Sequence, residues 1–396
     1  MSKGSAKTFF RRIRPGQWIK HSIFTQYLYV WAMKVGSAPR TKTIWVIDAF
    51  AGSGGFTDEI TGEKDEGSSV KAALFCKQYN GRPDKRAAGK HVRLICIERD
   101  PENYNKLKAR LSSFDFVEVL LGEFGEHADE VIALIGTDPA LILLDPIGVK
   151  SIDAETCRRL LHRRGKTDAF VNVQFSVVHR TRGQLLPHGE PNPEVQGSAA
   201  SVRNIDAFFG DDEWRKRIAI NGKSAKEQEA EYLRLYFESV VGPGFSCKHA
   251  YPVSARYGGK PKYYLVHIAD HPDADWLIND LLATVESRLY IVSAQRDHPG
   301  ALAGFFEEDN KQRLLGLRRD LGAAALKLLA ERPTRSASYQ EICLELRPRF
   351  FGRLKEGDYS KAIKELLTER RLERQQRGVR PKLLPHEVIS LPDPDG

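Results

Sequence analysis

Thr43-Ile44-Trp45-Val46-Ile47-Asp48-Ala49-Phe50-Ala51-Gly52-Ser53-Gly54-Gly55 is the stretch whose reading decides the fold. Ile44 to Ile47 is a continuous apolar run that ends in an acid, the pattern of a strand buried on both faces. After Asp48 come Phe50, Ala51, Gly52, Ser53 and Gly54, a loop of small residues beside one aromatic. Glycines in such a loop allow positive φ and close approach of the backbone to a ligand. Ligands of open α/β sheets bind at this carboxyl edge. An acid at the strand end disfavours a pyrophosphate and suits a ligand with an amino group. S-adenosylmethionine is such a ligand, with Asp48 accepting from its amine. A plain tight turn would use the same glycines, so the loop needs support from the rest of the chain.

That support comes at regular intervals. Arg93 to Glu98 is a second apolar strand ending in an acid, placed to accept from ribose hydroxyls. Arg99 follows Glu98 directly. Val117 to Leu121 runs into Gly122, Glu123 and Phe124, and Ala140 to Leu144 runs into Asp145 and Pro146. Asp168 to Ser176 reads as a fifth strand. Helical patterns separate them at Ser69–Tyr79, Pro101–Ser112, Glu126–Ile135 and Asp153–Arg163. Alternation of this kind predicts an α/β fold, a Rossmann-like doubly wound and mostly parallel sheet. Further on, Lys248–Ser254 and Lys262–Ile268 flank Gly258-Gly259 and predict a closing antiparallel hairpin. His267 within it reads as lining of the core.

The layout resembles the class I S-adenosylmethionine-dependent methyltransferase type. Closer still, Trp18-Ile-Lys-His21 with Tyr27-Leu-Tyr-Val-Trp31, Asp48-Ala-Phe-Ala-Gly52-Ser-Gly54, Glu66-Gly67-Ser68, Asp145-Pro146-Ile-Gly148 and Tyr263-Tyr-Leu-Val-His267 resemble the three-Cys-motif partner (TcmP) family. The similarity covers roughly residues 17–290. It implies a methyltransferase-like domain with S-adenosylmethionine as cofactor, and a neighbouring radical-enzyme-like protein as partner. The cysteines of the family name belong to that partner. This chain departs from the family pattern twice, with Glu123 where Asp is usual and Ile147 where an aromatic is usual.

Amino-group methyltransferases of nucleic acid carry Asp/Asn-Pro-Pro-aromatic at the fourth strand end, where acid and proline carbonyl hold the amine and the ring stacks on a flipped base. Here Asp145 and Pro146 stand in the first two places, and they are the candidate catalytic residues for transfer to an amino nitrogen. Phe50, Phe124 or Phe175 would have to supply the stacking ring. The competing reading makes Asp145 a cap for the following helix. The candidate cofactor set is Asp48, Phe50, Ala51, Gly52, Ser53, Gly54, Glu98, Arg99, Glu123 and Phe124.

Charge is concentrated at the two ends. Residues 1–47 hold nine Lys or Arg and no acid, and residues 313–382 hold 18 Lys or Arg against 9 Asp or Glu, in a chain of net charge +9. The segment between them is therefore net acidic. Basic flanks around a less charged centre suit a polyanion, with nucleic acid, DNA or RNA, the expected partner. Solvated faces and a basic tail would give the same counts. We expect a methyltransferase-like domain over 1–312, with a basic helical extension at 1–42 and an insertion at 180–245. A small C-terminal winged-helix module is expected over 313–396. Its helices would be Leu314–Ala330, Tyr339–Arg347 and Ser360–Leu372, the last capped by Asp358, followed by a basic hairpin turning at Gly378. Lys361, Lys364, Arg370, Arg371, Arg374, Arg377 and Arg380 are the candidate nucleic-acid contacts. Winged helices also dock proteins, so a protein partner stays open.

Five scattered cysteines without a C-x-x-C pair argue for reduced thiols and against a metal site. Without an apolar run long enough to span a bilayer or an apolar leader, a cytoplasmic protein with no membrane contact is expected. The favoured function is methylation of nucleic acid. The alternative is a non-catalytic scaffold for the three-Cys-motif protein.

Overall fold

The computed structural model describes residues 15–57, 64–146, 148–149, 151–218, 224–300, 303–375 and 383–392. They divide into two compact units, one ending at Ala274 and the other starting at Asp275. The sequence reading put this boundary at 312/313.

The first unit opens with helix α1 (Pro15–Val35), strand β1 (Thr43–Asp48) and the short hairpin β2 (Gly55–Thr57) and β3 (Lys64–Glu66). Helices α2 (Ser68–Gly81) and α3 (Pro83–Ala87) lead to β4 (His91–Glu98), α4 (Pro101–Leu111), β5 (Val117–Leu121), α5 (Phe124–Ile135) and β6 (Ala140–Leu144). Next come α6 (Ala154–Leu161), β7 (Thr167–Val173), α7 (Phe175–Arg182), α8 (Ser198–Phe209), α9 (Glu213–Ile218) and α10 (Ala225–Tyr236), which ends in a π-turn over Phe237–Val241. The hairpin β8 (Cys247–Ser254) and β9 (Pro261–Ala269) closes the sheet.

The seven main strands lie in the order β5-β4-β1-β6-β7-β9-β8. All neighbours from β5 to β7 pair in parallel, while β9 runs antiparallel to β7 and to β8. Chain order reverses direction between β1 and β6, and ligands of open sheets bind at such a switch point. Both faces are covered, which is why the central strands read as unbroken apolar runs. Trp45, Ile47, Ile95, Ile97, Ile142 and Leu144 share a core with α5, α6, α7, α8 and α10. On the opposite face α1 lays Phe24 and Tyr27 edge-on against Phe170.

The last parallel strand is shorter than expected. The fifth strand stops at Val173 rather than Ser176, because Phe175 turns inward against Tyr232 and Tyr264 and opens α7. The stretch after residue 180 starts as helix up to Arg182, then folds back so that Leu185 bridges Pro191.

The second unit takes in most of α11 (Asp273–Asp297), then α12 (Ala303–Ala330), β10 (Ser336–Ser338), α13 (Tyr339–Phe350), α14 (Glu356–Thr368), β11 (Glu373–Arg374) and β12 (Val388–Ser390). Its three strands pair antiparallel in the order β10-β12-β11. Leu321, Leu329, Phe350, Leu354, Ile363 and Ile389 form its core. Helix α11 belongs with it because Trp276 packs on Tyr359 and Asn279 bonds the backbone of Leu354 and Gly352. Helix α14 starts four residues before the expected Ser360, so Asp358 is its third residue and caps it from within, accepting from the Lys355 backbone N–H at 3.1 Å. It ends at Thr368 because Arg370 adopts φ 56°, which turns Leu372 into the core.

Candidate active site

The carboxyl ends of β1, β4, β5 and β6 enclose a cleft of about 570 Å³, counting its solvent-open mouth. Phe50 and Gly52 come from the β1 loop, Glu98 and Arg99 from the end of β4, Glu123 and Phe124 from the end of β5, and Asp145 from the end of β6. Ser151 and Asn103 complete the rim. Seven of the residues expected from the sequence thus meet in one place. Ala51, Ser53, Gly54 and Pro146 do not line the cleft.

The first three shape the β1 loop from within. Ala51 donates its N–H to Ile97 at 3.0 Å, and the Ser53 hydroxyl closes on the Gly55 carbonyl at 2.6 Å. Gly54 has φ +74°, and a Cβ there would stand 2.7 Å from Leu107 Cδ1. Glycine is therefore required at this position both by conformation and by space. Gly52 has φ +61° with open space where a Cβ would be, so conformation alone sets its demand.

Asp48 is placed otherwise than expected. Its carboxylate is buried, and Oδ2 accepts from the hydroxyls of Ser68 at 2.6 Å and Ser69 at 2.8 Å. Burial raises its pKa, and the two serine hydrogen bonds act in the opposite direction. Asp48 thus ties the β1 loop to the start of α2 and does not border the cleft. Ser68 and Ser69 were not assigned this role from sequence.

Glu98 does border it. Its Oε2 accepts from the Gly52 N–H at 2.7 Å and its Oε1 from the Asp100 N–H at 2.8 Å. A carboxylate has about four acceptor positions, so two stay open toward the cleft. Arg99 leans over the rim, 3.6 Å from Glu123 and within 3.4 Å of the Ser151 hydroxyl. The rings of Phe50 and Phe124 lie 5.9 Å apart at 53°. Phe175, the third ring considered, is 2% exposed and away from the cleft.

Asp145 is the most heavily engaged group. Its Oδ2 pairs with the ammonium of Lys20 from α1, and its Oδ1 accepts from Asn172 Nδ2 at 2.7 Å. The Oδ1 of Asn172 is buried and has no partner among the described residues. Close by, the Tyr263 hydroxyl is held protonated, by burial first and then by the charge on Asp145. The capping role considered for Asp145 falls to Asp153, which accepts from Thr156 N–H at 2.7 Å. The Pro146 carbonyl accepts from the Gly148 N–H at 3.1 Å, which engages one of its two acceptor positions. Ile147 lies outside the described residues.

Sequence reasoning missed Lys20 and Asn172 as the partners of Asp145. A signal existed for each. Lys20 falls in helical register with Ile23, Phe24, Tyr27 and Trp31, which are buried, and Asn172 interrupts the apolar run of its strand. A charge or amide on a buried face needs a partner.

In the second unit Lys361, Arg370 and Arg371 are exposed and Lys364 is half-buried. Arg370 and Arg371 follow the end of α14 instead of riding on it. Arg374 is turned inward, paired with the buried Glu387 at 2.9 Å, which corrects its assignment as a free phosphate contact. Arg377 and Arg380 lie outside the described residues. All five cysteines are buried, and none forms a disulfide. Among the described residues no group of three His, Cys, Asp or Glu could hold a metal, and no helix is long and apolar enough to cross a membrane.

No protein-family model matches the sequence, and no curated protein does. Solved structures that it resembles include an O-methyltransferase from Bacillus cereus in complex with SAH, 12% identical, with 62% of this chain and 80% of that one covered at a TM-score of 0.32. A protein from Legionella pneumophila str. Philadelphia 1 is 13% identical over 68% of this chain and 92% of its own, at 0.38. A candidate rRNA methylase from Clostridium thermocellum is 10% identical over 60% and 96%, at 0.27. At these scores the weight stays on the strand order and the site itself.

Proposed function

We propose that this protein is an S-adenosylmethionine-dependent methyltransferase that acts on nucleic acid. The observation that carries the reading is the cleft at the switch point of the sheet, where Glu98 keeps open acceptor positions beside Gly52, Phe50 and Phe124. S-adenosylmethionine, when bound, supplies an electrophilic methyl group on a sulfonium. Glu98 would accept from its ribose hydroxyls, the Gly52 backbone gives it room, and Phe50 and Phe124 offer apolar surface to its adenine. Glu123 and Arg99 would close the rim. Asp145 and Asn172 supply acceptors for a proton-bearing group on the methyl acceptor.

The substrate class rests on the second unit. Three helices, α12 to α14, with the sheet β10-β12-β11, fit a winged-helix module. Lys361, Lys364, Arg370 and Arg371 would supply its phosphate contacts. A second reading keeps the cleft as a cofactor-holding scaffold for a radical-enzyme-like three-Cys-motif protein. In its favour, Asp145 is already bonded to Lys20 and Asn172.

Calorimetry with S-adenosylhomocysteine, followed by transfer of radiolabelled methyl to total DNA, RNA and protein, tests both. Binding with label in nucleic acid supports the enzyme. Binding without label in any fraction, with and without the three-Cys-motif protein, supports the scaffold.

A further inference from the structure

We propose that the methyl acceptor is a hydroxyl oxygen, that Lys20 is the residue that receives it, and that the substrate is therefore RNA, methylated at a ribose 2′-hydroxyl. This rests on the methyltransferase reading above. Lys20 reaches the end of β6 from α1, is 9% exposed, and pairs with Asp145. A buried ion pair is a poor fastener, since desolvation offsets most of its attraction. Helix α1 is already fixed by Ile19, Ile23, Phe24 and Leu28 in the core. The pair instead puts one strong donor and a set of acceptors side by side, namely the Lys20 ammonium, the Asp145 carboxylate and the Oδ1 of Asn172, which has no partner among the described residues.

An amino nitrogen matches half of that set. It has one lone pair, which must attack the methyl group, so it can accept nothing from Lys20. It also gains positive charge as it reacts, and a neighbouring ammonium opposes that. A hydroxyl matches the whole set. One lone pair accepts from Lys20, the other attacks, and the O–H points to Asp145 or Asn172. As the hydroxyl oxygen forms its bond to the methyl carbon, the carbon–sulfur bond breaks and its electron pair stays on sulfur, which becomes a neutral thioether. The hydroxyl proton passes to the Asp145 carboxylate and from there to water. Lys20 stays an ammonium and stabilises the negative charge that builds on oxygen. Within a nucleic acid chain the internal hydroxyl is the ribose 2′-OH, which also distinguishes RNA from DNA.

The test incubates the full chain with radiolabelled S-adenosylmethionine and total cellular RNA or DNA, then hydrolyses the RNA with alkali. Label in alkali-resistant dinucleotides is expected, because a 2′-O-methyl group removes the hydroxyl that alkali requires, and DNA should stay unlabelled. Lys20→Met should lower transfer by about 10²–10³-fold, the usual effect of removing a donor from a developing oxyanion. S-adenosylhomocysteine affinity should be unchanged in that variant, which also reports that it folds, and Lys20→Arg should recover part of the rate. With S-adenosylhomocysteine bound and no transfer possible, wild type should bind fragmented RNA more tightly than DNA of the same length, and Lys20→Met should lose part of that preference. Label in alkali-released mononucleotides would overturn the oxygen assignment and leave the methyltransferase reading standing. Cofactor binding with no label in any fraction would overturn both. A Lys20→Met protein that transfers at the wild-type rate would remove Lys20 from the site.

Discussion

Glu98 and Asp168 are both largely buried carboxylates, held by different partners. Glu98 receives two backbone N–H groups and keeps two acceptor positions toward the cleft. Glu98→Ala should therefore weaken S-adenosylhomocysteine binding by roughly 1–3 kcal/mol, the cost of unpaired donors, and calorimetry measures it directly. Asp48→Asn should disturb binding less, since Asp48 faces Ser68 and Ser69 rather than the cleft. Asp168 sits at the other end of the sheet and accepts from the Tyr27 hydroxyl. Burial pushes its pKa up to about 7 from an ordinary 3.8, against the pull of that hydrogen bond. Its folded-state pKa lies above the unfolded one, so its protonated form favours folding. The contribution is whole below about 3.8 and is lost as pH rises through about 7. Asp168→Asn should flatten the pH dependence of the urea midpoint across that window. An unchanged slope would mean that another group sets it. At this scale the sequence was legible wherever an acid ended an apolar run, as at Glu98 and Asp145. It was silent on which way each carboxylate turns. That depends on partners such as Lys20, Ser69 and Asn172, which lie far away along the chain.

Elements carry the constraints that single residues cannot show. The β1 loop holds its shape because Gly54 has positive φ in a place where a Cβ would crowd Leu107 of α4, while Gly67, at the start of α2, donates to the Gly54 carbonyl at 3.0 Å. Gly54→Ala combines a left-handed backbone with a close contact, and should lower stability by about 1–3 kcal/mol, the usual cost of a non-glycine residue held there. Urea unfolding would read the loss, and an unchanged midpoint would mean that the loop relaxes freely. Gly52→Ala should cost less stability, because only the backbone term applies. The central strands were readable as elements because burial on both faces leaves them uniformly apolar. Helix α14 was run on by four residues at its end, and the fifth strand was run on into α7. In both cases local composition continued one element while a core residue, Leu372 or Phe175, turned the backbone inward. Tertiary demand of that sort has no short-range signature.

At the scale of the whole molecule, a mostly parallel sheet follows from the alternation of strands and helices, so the sheet was the most legible feature of the chain. The division into units was less so, because α11 is continuous and its allegiance is decided by Trp276 and Asn279, which sequence spacing does not single out. Net charge gave a partner class but not the contacts. Of the candidate residues, Lys361, Arg370 and Arg371 are exposed, while Arg374 is committed to Glu387. That difference makes the nucleic-acid reading testable on the intact chain. Each phosphate neutralised adds about 0.7–0.9 to the slope of log affinity against log salt. Changing Lys361, Arg370 and Arg371 together to Ala should lower the slope by roughly 2–3 on that basis, and leave S-adenosylhomocysteine binding intact. Arg374→Ala should act differently. It strands the buried Glu387 without its cation, so the melting temperature should fall while the salt slope stays within about one unit of wild type. If the triple variant keeps the full slope, the phosphate contacts lie outside α14 and its flank, and the second unit has another partner.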